Sequence, residues 1–413
     1  MATDSPDPQS HFSSRVKRVL VDFFGLRRSM LAMLVMVVLV GMGEKMAERF
    51  LPLYLVALGG TTLTIGLLNG MDNLLSALYS FPGGYLADRL GYKRALLVFN
   101  LVAMFGYLIV ILVPTWPAVI VGSIFFLSWT AISLPATMSL VAAVLPNQKR
   151  TMGVSMHSLV RRVPMALGPV VGGLLISVYG ERDGVRLAFV AALVLGLVAL
   201  WMQQSLIEDK REVKHQVESN PLKAFKLITP NLRNLLVSDI LARFAEQIPY
   251  AFVVIWVVKN HSLSPLQFGV LTTIEMVTAM LIYIPIAYLA DRSTKKPFVV
   301  ITFGFFTIFP LVLLFSDRFE LFVLAFIIRG LKEFGEPTRK ALIMDLAPEG
   351  KKASAFGVYY LARDVIVSVA AFSGALLWNI SPQVNFLTAF GFGLLGTLYF
   401  IVAGKDLGKT SQA

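Results

Sequence analysis

The chain has no cysteine, four histidines and few charges, with Asp, Glu, Lys and Arg together making up 15% of its 413 residues. Without cysteine there is no disulfide framework and no thiolate chemistry. The histidines, His11, His157, His215 and His261, stand in no spacing that holds a metal ion. A nucleotide loop is missing as well: Gly404 to Thr410 reads GKDLGKT, one residue short between its glycines and with no helix behind it. The chain is therefore expected not to be an enzyme and to need neither cofactor nor metal.

Soluble domains carry roughly 25% charged residues. This chain instead has 56% hydrophobic residues and a mean hydropathy of +0.72, which marks a polytopic membrane protein. Its net charge of +12 is read as Lys- and Arg-rich cytoplasmic loops rather than as a nucleic-acid surface, so no nucleic-acid partner is expected. The first long apolar run is too long for a cleavable signal and has no small-residue cleavage site behind it.

A membrane crossing takes about 20 apolar residues. On that measure the sequence predicts twelve spans, at 30–57, 64–86, 95–113, 118–145, 153–179, 187–206, 232–258, 266–288, 297–315, 320–345, 353–379 and 384–404. The expected organisation is a tail (1–29), a six-helix bundle (30–206), a polar linker (207–231), a second six-helix bundle (232–404) and a short tail (405–413). Lys and Arg gather on the side of the tails and linker, whereas the opposite loops hold only Arg182, Arg186, Lys259 and Arg318. Both termini are therefore expected in the cytoplasm. Short loops and the lack of added domains favour a bacterial inner membrane.

The halves are copies. Pro82 and Tyr85 to Arg89 match Pro285 and Tyr288 to Arg292 without a gap. Pro135, Pro146, Arg161, Gly172 and Leu174 recur 202 residues later as Pro337, Pro348, Arg363, Gly374 and Leu376. Parallel repeats of this kind place a solute site between them near mid-membrane.

Charges inside the membrane are costly and should face a cavity or a partner. Spans 3, 6, 9 and 12 have none in their interiors and are expected to face lipid. Span 1 stacks Glu44 on Glu48, with Lys45 and Arg49 on a neighbouring stripe. Span 7 carries Asp239, Arg243 and Glu246, with Arg243 able to reach either acid. Span 10 carries Arg329, Lys332, Glu333, Glu336, Arg339 and Lys340 around Gly335 and Pro337, and the proline is expected to kink it. Spans 1, 7 and 10 should line a pathway. Glu48, Glu246, Asp72 and Glu275, with Glu44 behind them, are candidate proton carriers, while Arg161, Arg243 and Arg363 could hold an anion or tune a carboxylate. Each pair could equally be a salt bridge that holds helices together.

The stretch Gly83 to Arg94, GGYLADRLGYKR, resembles the signature loop between the second and third spans of the major facilitator superfamily. Gly168-Pro169-Val170-Val171-Gly172-Gly173 is similar to a motif of that superfamily's antiporter branch, and the overall pattern is nearest to bacterial drug/proton antiporters. The Arg-containing signature of the fourth helix in those antiporters is absent, since Phe125 to Ser133 holds no Arg. The resemblance implies an all-α fold of two parallel six-helix repeats that rock about a central site, with spans 3, 6, 9 and 12 at the periphery. It also implies gating by Gly83, Gly84, Asp88, Arg89, Gly91, Lys93 and Arg94, with Asp88 latching onto the start of span 11 near Ser354. Asp291 would form the second latch, against the start of span 5 near Thr151, and Arg292, Gly168, Pro169, Gly172 and Gly173 belong to the same expected gating set.

The function expected is secondary active, proton-coupled efflux of a small molecule by a monomer in contact with lipid. Uptake of a polar or anionic solute with protons, lipid export, and a non-transporting sensor on the same fold stay open as alternatives.

Overall fold

The computed structural model describes residues 28–127, 129–144, 157, 160–207, 227–290, 293–348 and 352–406, and among these the regular structure is helical throughout. In lipid every backbone N–H and C=O must be satisfied within the segment, so long apolar stretches form helices. Nine stretches among the described residues are long and apolar enough to cross a membrane.

Span 1 is Arg28–Glu48, continued after a turn at Arg49 and Phe50 by Leu51–Ala57. Span 2 is Thr62–Leu90 and span 3 Tyr92–Leu112. Span 4 comprises Trp116–Phe126 and Trp129–Val144. Spans 5 and 6 form one 45-residue stretch, Arg162–Leu206, broken only at Gly180. At 1.5 Å per residue this is about 68 Å of helix, more than twice the hydrocarbon thickness, so it crosses twice.

Span 7 is Pro230–Gln247, followed after a turn by short helical pieces from Tyr250 to Asn260. Span 8 is Pro265–Ala290 and span 9 Lys296–Leu314. Span 10 is Phe319–Leu331 and Glu336–Leu346, span 11 Lys352–Ile380 and span 12 Pro382–Ala403. Starts are capped where the sequence allows it: the Thr229 and Ser381 hydroxyls accept from the backbone N–H three residues on, at 3.2 and 3.1 Å.

Two expectations need correction. The stretch 180–186 reads as a polar loop, yet the chain reverses at Gly180 alone (φ 81) and helix resumes at Glu181. Only glycine adopts that backbone freely, so one residue does the work of a loop. Pro337 does not kink a continuous helix either. Span 10 is interrupted at Lys332 to Gly335, and Pro337 lies in the first turn of the second piece, where its missing N–H leaves no bond unmade.

Among the described residues that border the tails and the linker, Ser29 lies beside Leu206, Thr229 beside Leu346 and Asp406 beside Lys296; the face they share is called here the linker face, and the opposite one the far face. Spans 3, 6, 9 and 12 expose apolar rows such as Leu101, Phe105, Leu108 and Val194, Leu197, Trp201, as a lipid-facing wall requires. Their inner sides pack. Tyr107, Phe126 and Phe189 meet ring to ring at centroid distances of 5.2 to 5.8 Å, joining spans 3, 4 and 6. Asn100 ties the same three spans by donating to Gln203 at 2.7 Å and accepting from the Trp129 indole at 2.9 Å.

A charged cavity between the two halves

Three helix interruptions meet between the halves. The turn at Arg49 directs that side chain over the ring of Tyr250, 5.1 Å from its centroid. The break of span 7 before Pro249 frees the Gln247 carbonyl, which accepts from Asn69 Nδ2 of span 2 at 3.1 Å. One helical turn along span 2, Asn73 Nδ2 donates to the Gln247 side chain, also at 3.1 Å. The break of span 10 exposes Glu333, which pairs with Arg162 of span 5 at 3.2 Å.

Contacts on the far side hold the halves together. Spans 5 and 8 touch backbone to backbone, because a Cβ on Gly173 would overlap the Pro265 carbonyl and one on Gly269 the Pro169 carbonyl. Thr273 donates to the Ala166 carbonyl at 2.7 Å, and the Leu266 N–H to Ser177 at 3.2 Å. Spans 2 and 11 approach as closely at Gly66 and Gly70, against Ala375 and Phe372. At the rim, Lys259 pairs with Glu181 at 2.6 Å.

Toward the linker face the halves part around a cavity of about 350 Å³. Six cations line it, Arg49, Arg161, Arg162, Arg243, Lys332 and Lys340, against five anions, Asp72, Glu246, Glu275, Glu333 and Glu336. Lys340, its side chain 45% exposed, marks the wet end. Arg49, Asp72 and Tyr250 also border a smaller pocket of about 40 Å³, lined besides by Glu48, Asn69 and Arg329 and by the apolar Leu51, Leu68, Val254 and Phe268.

Most of these charges are already compensated. Lys332 donates to Glu246 at 2.6 Å and to Glu275 at 3.2 Å. Arg329 pairs with Glu275 at 3.4 Å and packs its guanidinium among Tyr250, Phe309 and Phe326. Arg243 reaches both acids of its own helix, Glu246 at 2.9 Å and Asp239 at 3.8 Å, and also Glu336 at 3.3 Å. Glu336 further accepts from Arg339 at 2.6 Å and forms an ion pair with Lys340 at 3.4 Å.

Asp239 lies behind the cavity wall, fully buried, bound by Arg339 and by the Tyr359 hydroxyl at 2.9 Å, with Arg363 at 3.6 Å. Arg363 pairs mainly with its neighbour Asp364 and stacks on Tyr360. In span 1, Lys45 donates to Glu44 at 3.1 Å and also to Glu48, and Thr130 donates to Glu44 at 3.3 Å.

Two groups differ. Among the described residues Asp72 meets no cation within ion-pair distance and makes no hydrogen bond, although it lines the cavity. Arg49 stacks on Tyr250 and reaches no described carboxylate.

The cavity is thus lined by residues of spans 2, 5 and 8 as well as by those of spans 1, 7 and 10, and Glu44, Glu48, Asp239 and Arg363 are not among them. Tyr250, Asn69, Asn73 and Gln247 were not singled out by sequence reasoning, and Lys332 and Arg49 were named only among the charges of spans 10 and 1. For Asn69 and Asn73 the signal was there, a polar pair four apart in an apolar run.

The small residues of the gating motifs act in packing. A Cβ on Gly168 would sit 2.7 Å from that of Lys45, and one on Gly172 would overlap the Met46 carbonyl. Pro169 is buried beside them, inside the helix of span 5. Gly83 lies as tightly against Ile132. Gly91 (φ 80) makes the one-residue turn between spans 2 and 3, with Gly84 one helical stretch before it. Arg89 is exposed and donates to Tyr85 at 3.3 Å, Lys93 donates to the Gln204 carbonyl at 2.9 Å, and Arg94 opens span 3. The side chains of Asp88 and Ser354, and all of Asp291, Arg292 and Thr151, lie outside what the structure describes, as do His11 and His215.

Comparison with known proteins gives a consistent result. The sequence matches the family model of the Major Facilitator Superfamily over residues 33–244 and again over 235–412. It is similar to an uncharacterized MFS-type transporter of Methanocaldococcus jannaschii, 23% identical over 84% of this chain and 87% of the relative. It is also similar to the staphylopine export protein of Staphylococcus aureus, 22% identical over 82% and 85%. Among solved structures, the nucleoside transporter NupG superposes with a TM-score of 0.77 at 15% identity, covering 91% of this chain and all of that one.

Proposed function

The chain belongs to the major facilitator superfamily, and from that premise we propose that it is a proton-coupled exporter of a small solute, with Asp72 as the group that exchanges protons. One observation carries the reading: among the described residues, Asp72 is the cavity acid without a partner. A carboxylate that already accepts from a lysine or arginine gains little from a proton. One facing a cavity alone is neutralised either by a proton or by the cargo. Coupling is therefore assigned to Asp72 ahead of Glu48, Glu246 and Glu275, each of which has a basic partner.

The direction follows from two supports. The Lys and Arg bias puts the linker face in the cytoplasm, so the cavity as it stands would load from inside. A relative similar along most of the chain is an exporter. Rocking of the halves would then close the linker side around the cargo and part the far contacts. Each chain holds its own cavity, so a monomer in a bacterial inner membrane suffices.

The test is proton movement in proteoliposomes under an imposed pH gradient, with drugs, organic anions, sugars, metal ions and lysolipids offered in turn. A compound that dissipates the gradient through the wild type and not through Asp72→Asn supports antiport with Asp72 as carrier. Solute and protons moving in the same direction would make the protein an uptake symporter. Coupling that survives Asp72→Asn and disappears in Glu246→Gln would return the role to span 7.

A further inference from the structure

The other group without an opposite charge lies beside Asp72, and the two together point to a class of cargo. Arg49 and Asp72 line both the cavity and the smaller pocket, yet they make no ion pair with each other. Glu48 and Arg329, which line the pocket too, are already paired with Lys45 and Glu275. Each is held in place. Arg49 is stacked on Tyr250, 5.1 Å from its ring centroid. Asp72 sits one helical turn from Asn69 and directly before Asn73, both bonded to Gln247 across the seam. A cation and an anion are thus kept apart by flanking contacts, in a wall where the other described acids are paired.

We propose that Arg49 and Asp72 are the two poles of a binding site for a small zwitterion. A carboxylate or comparable anion of the cargo would sit on Arg49, an ammonium-type cation on Asp72, and a short apolar portion against Leu51, Leu68, Val254 and Phe268 of the pocket. This rests on the transporter reading and adds the substrate class. A cargo of one charge would satisfy one pole and leave the other facing a poorly hydrated cavity, whereas a zwitterion satisfies both. The pocket, about 40 Å³, is only a few times the space that admits one water, which limits the buried apolar part to a few atoms. The proton and the cation of the cargo would occupy Asp72 in turn.

The experiment is equilibrium binding to the purified full-length protein using matched triplets: amino acids, dipeptides and betaine-type solutes, each with its esterified, cation-only form and, where an amine allows it, its N-acetylated, anion-only form. For at least one triplet the zwitterion should bind about 10- to 100-fold tighter than either blocked form, the span expected for one charge-assisted contact. Arg49→Gln should abolish discrimination against the ester and keep that against the acetylated form. Asp72→Asn should do the reverse, and Arg49→Lys should retain the wild-type order.

Equal binding of blocked and unblocked forms, binding of no triplet, or a uniform loss in both neutral variants would overturn the proposal. The last of these is what a merely structural role would give. A zwitterion bound as described but never moved across a proteoliposome would defeat the transport reading and leave the site standing. Coupled transport of a singly charged solute would do the opposite.

Discussion

Lys332 is buried between Glu246 and Glu275, at 2.6 and 3.2 Å, and so decides the state of two acids at once. Removing one partner of a buried pair costs about 3–5 kcal/mol, because a charge is left without compensation. Lys332→Met should therefore lower the midpoint of thermal inactivation in detergent markedly, and Lys332→Met with Glu275→Gln should recover part of the loss. If the double variant is no better than the single one, the lysine acts through packing and not through charge. By contrast, Glu181→Gln, which breaks the partly exposed rim pair with Lys259, should cost under about 1 kcal/mol in the same assay. The sequence showed that spans 1, 7, 8 and 10 were charged, and it showed that Arg243 could reach Asp239 and Glu246 along one helix. It could not show that Lys332 would claim Glu246 and Glu275. Those contacts join helices far apart in the chain, and only the packing of spans 7, 8 and 10 sets them.

At the level of whole helices, span 5 rests on spans 1 and 8 through Gly172 and Gly173, where any side chain would meet backbone. Gly173→Leu should push spans 5 and 8 apart on the far side. The chain lacks cysteine, so a reporter pair can be added cleanly: Ser177→Cys with Leu266→Cys, whose backbone and side chain already touch at 3.2 Å. Oxidative cross-linking of that pair should fall several-fold in Gly173→Leu. It should not change in Gly391→Leu, where a Cβ meets open space. Unchanged cross-linking in both would mean that the glycines do not set the approach. The twelve crossings and their duplication were legible because apolar length and repeated residues survive in one dimension. The interruptions at Arg49, Pro249 and Lys332 to Gly335 were not, since each is a local backbone choice stabilised by partners from other spans, such as Asn69 on the Gln247 carbonyl.

On the scale of the whole molecule, contact on one side and a cavity toward the other are, on the transport reading proposed above, one of the two end states that alternating access requires. Locking the far side with the Ser177 and Leu266 cysteine pair should stop net transport while leaving the cavity able to bind from the linker face. Transport that continues after complete cross-linking would rule out far-side parting at this pair. The single-residue reversal at Gly180 has a mechanical result. Span 5 carries the seam and span 6 the lipid-facing wall, and with no slack between them a tilt of one is delivered to the other. On the same reading each stroke would work against the elasticity of the surrounding bilayer, making the lipid a spring in the cycle. Turnover should depend on acyl-chain length, falling in membranes too thick or too thin for span 6, and inserting a flexible glycine-serine segment after Gly180 should flatten that dependence.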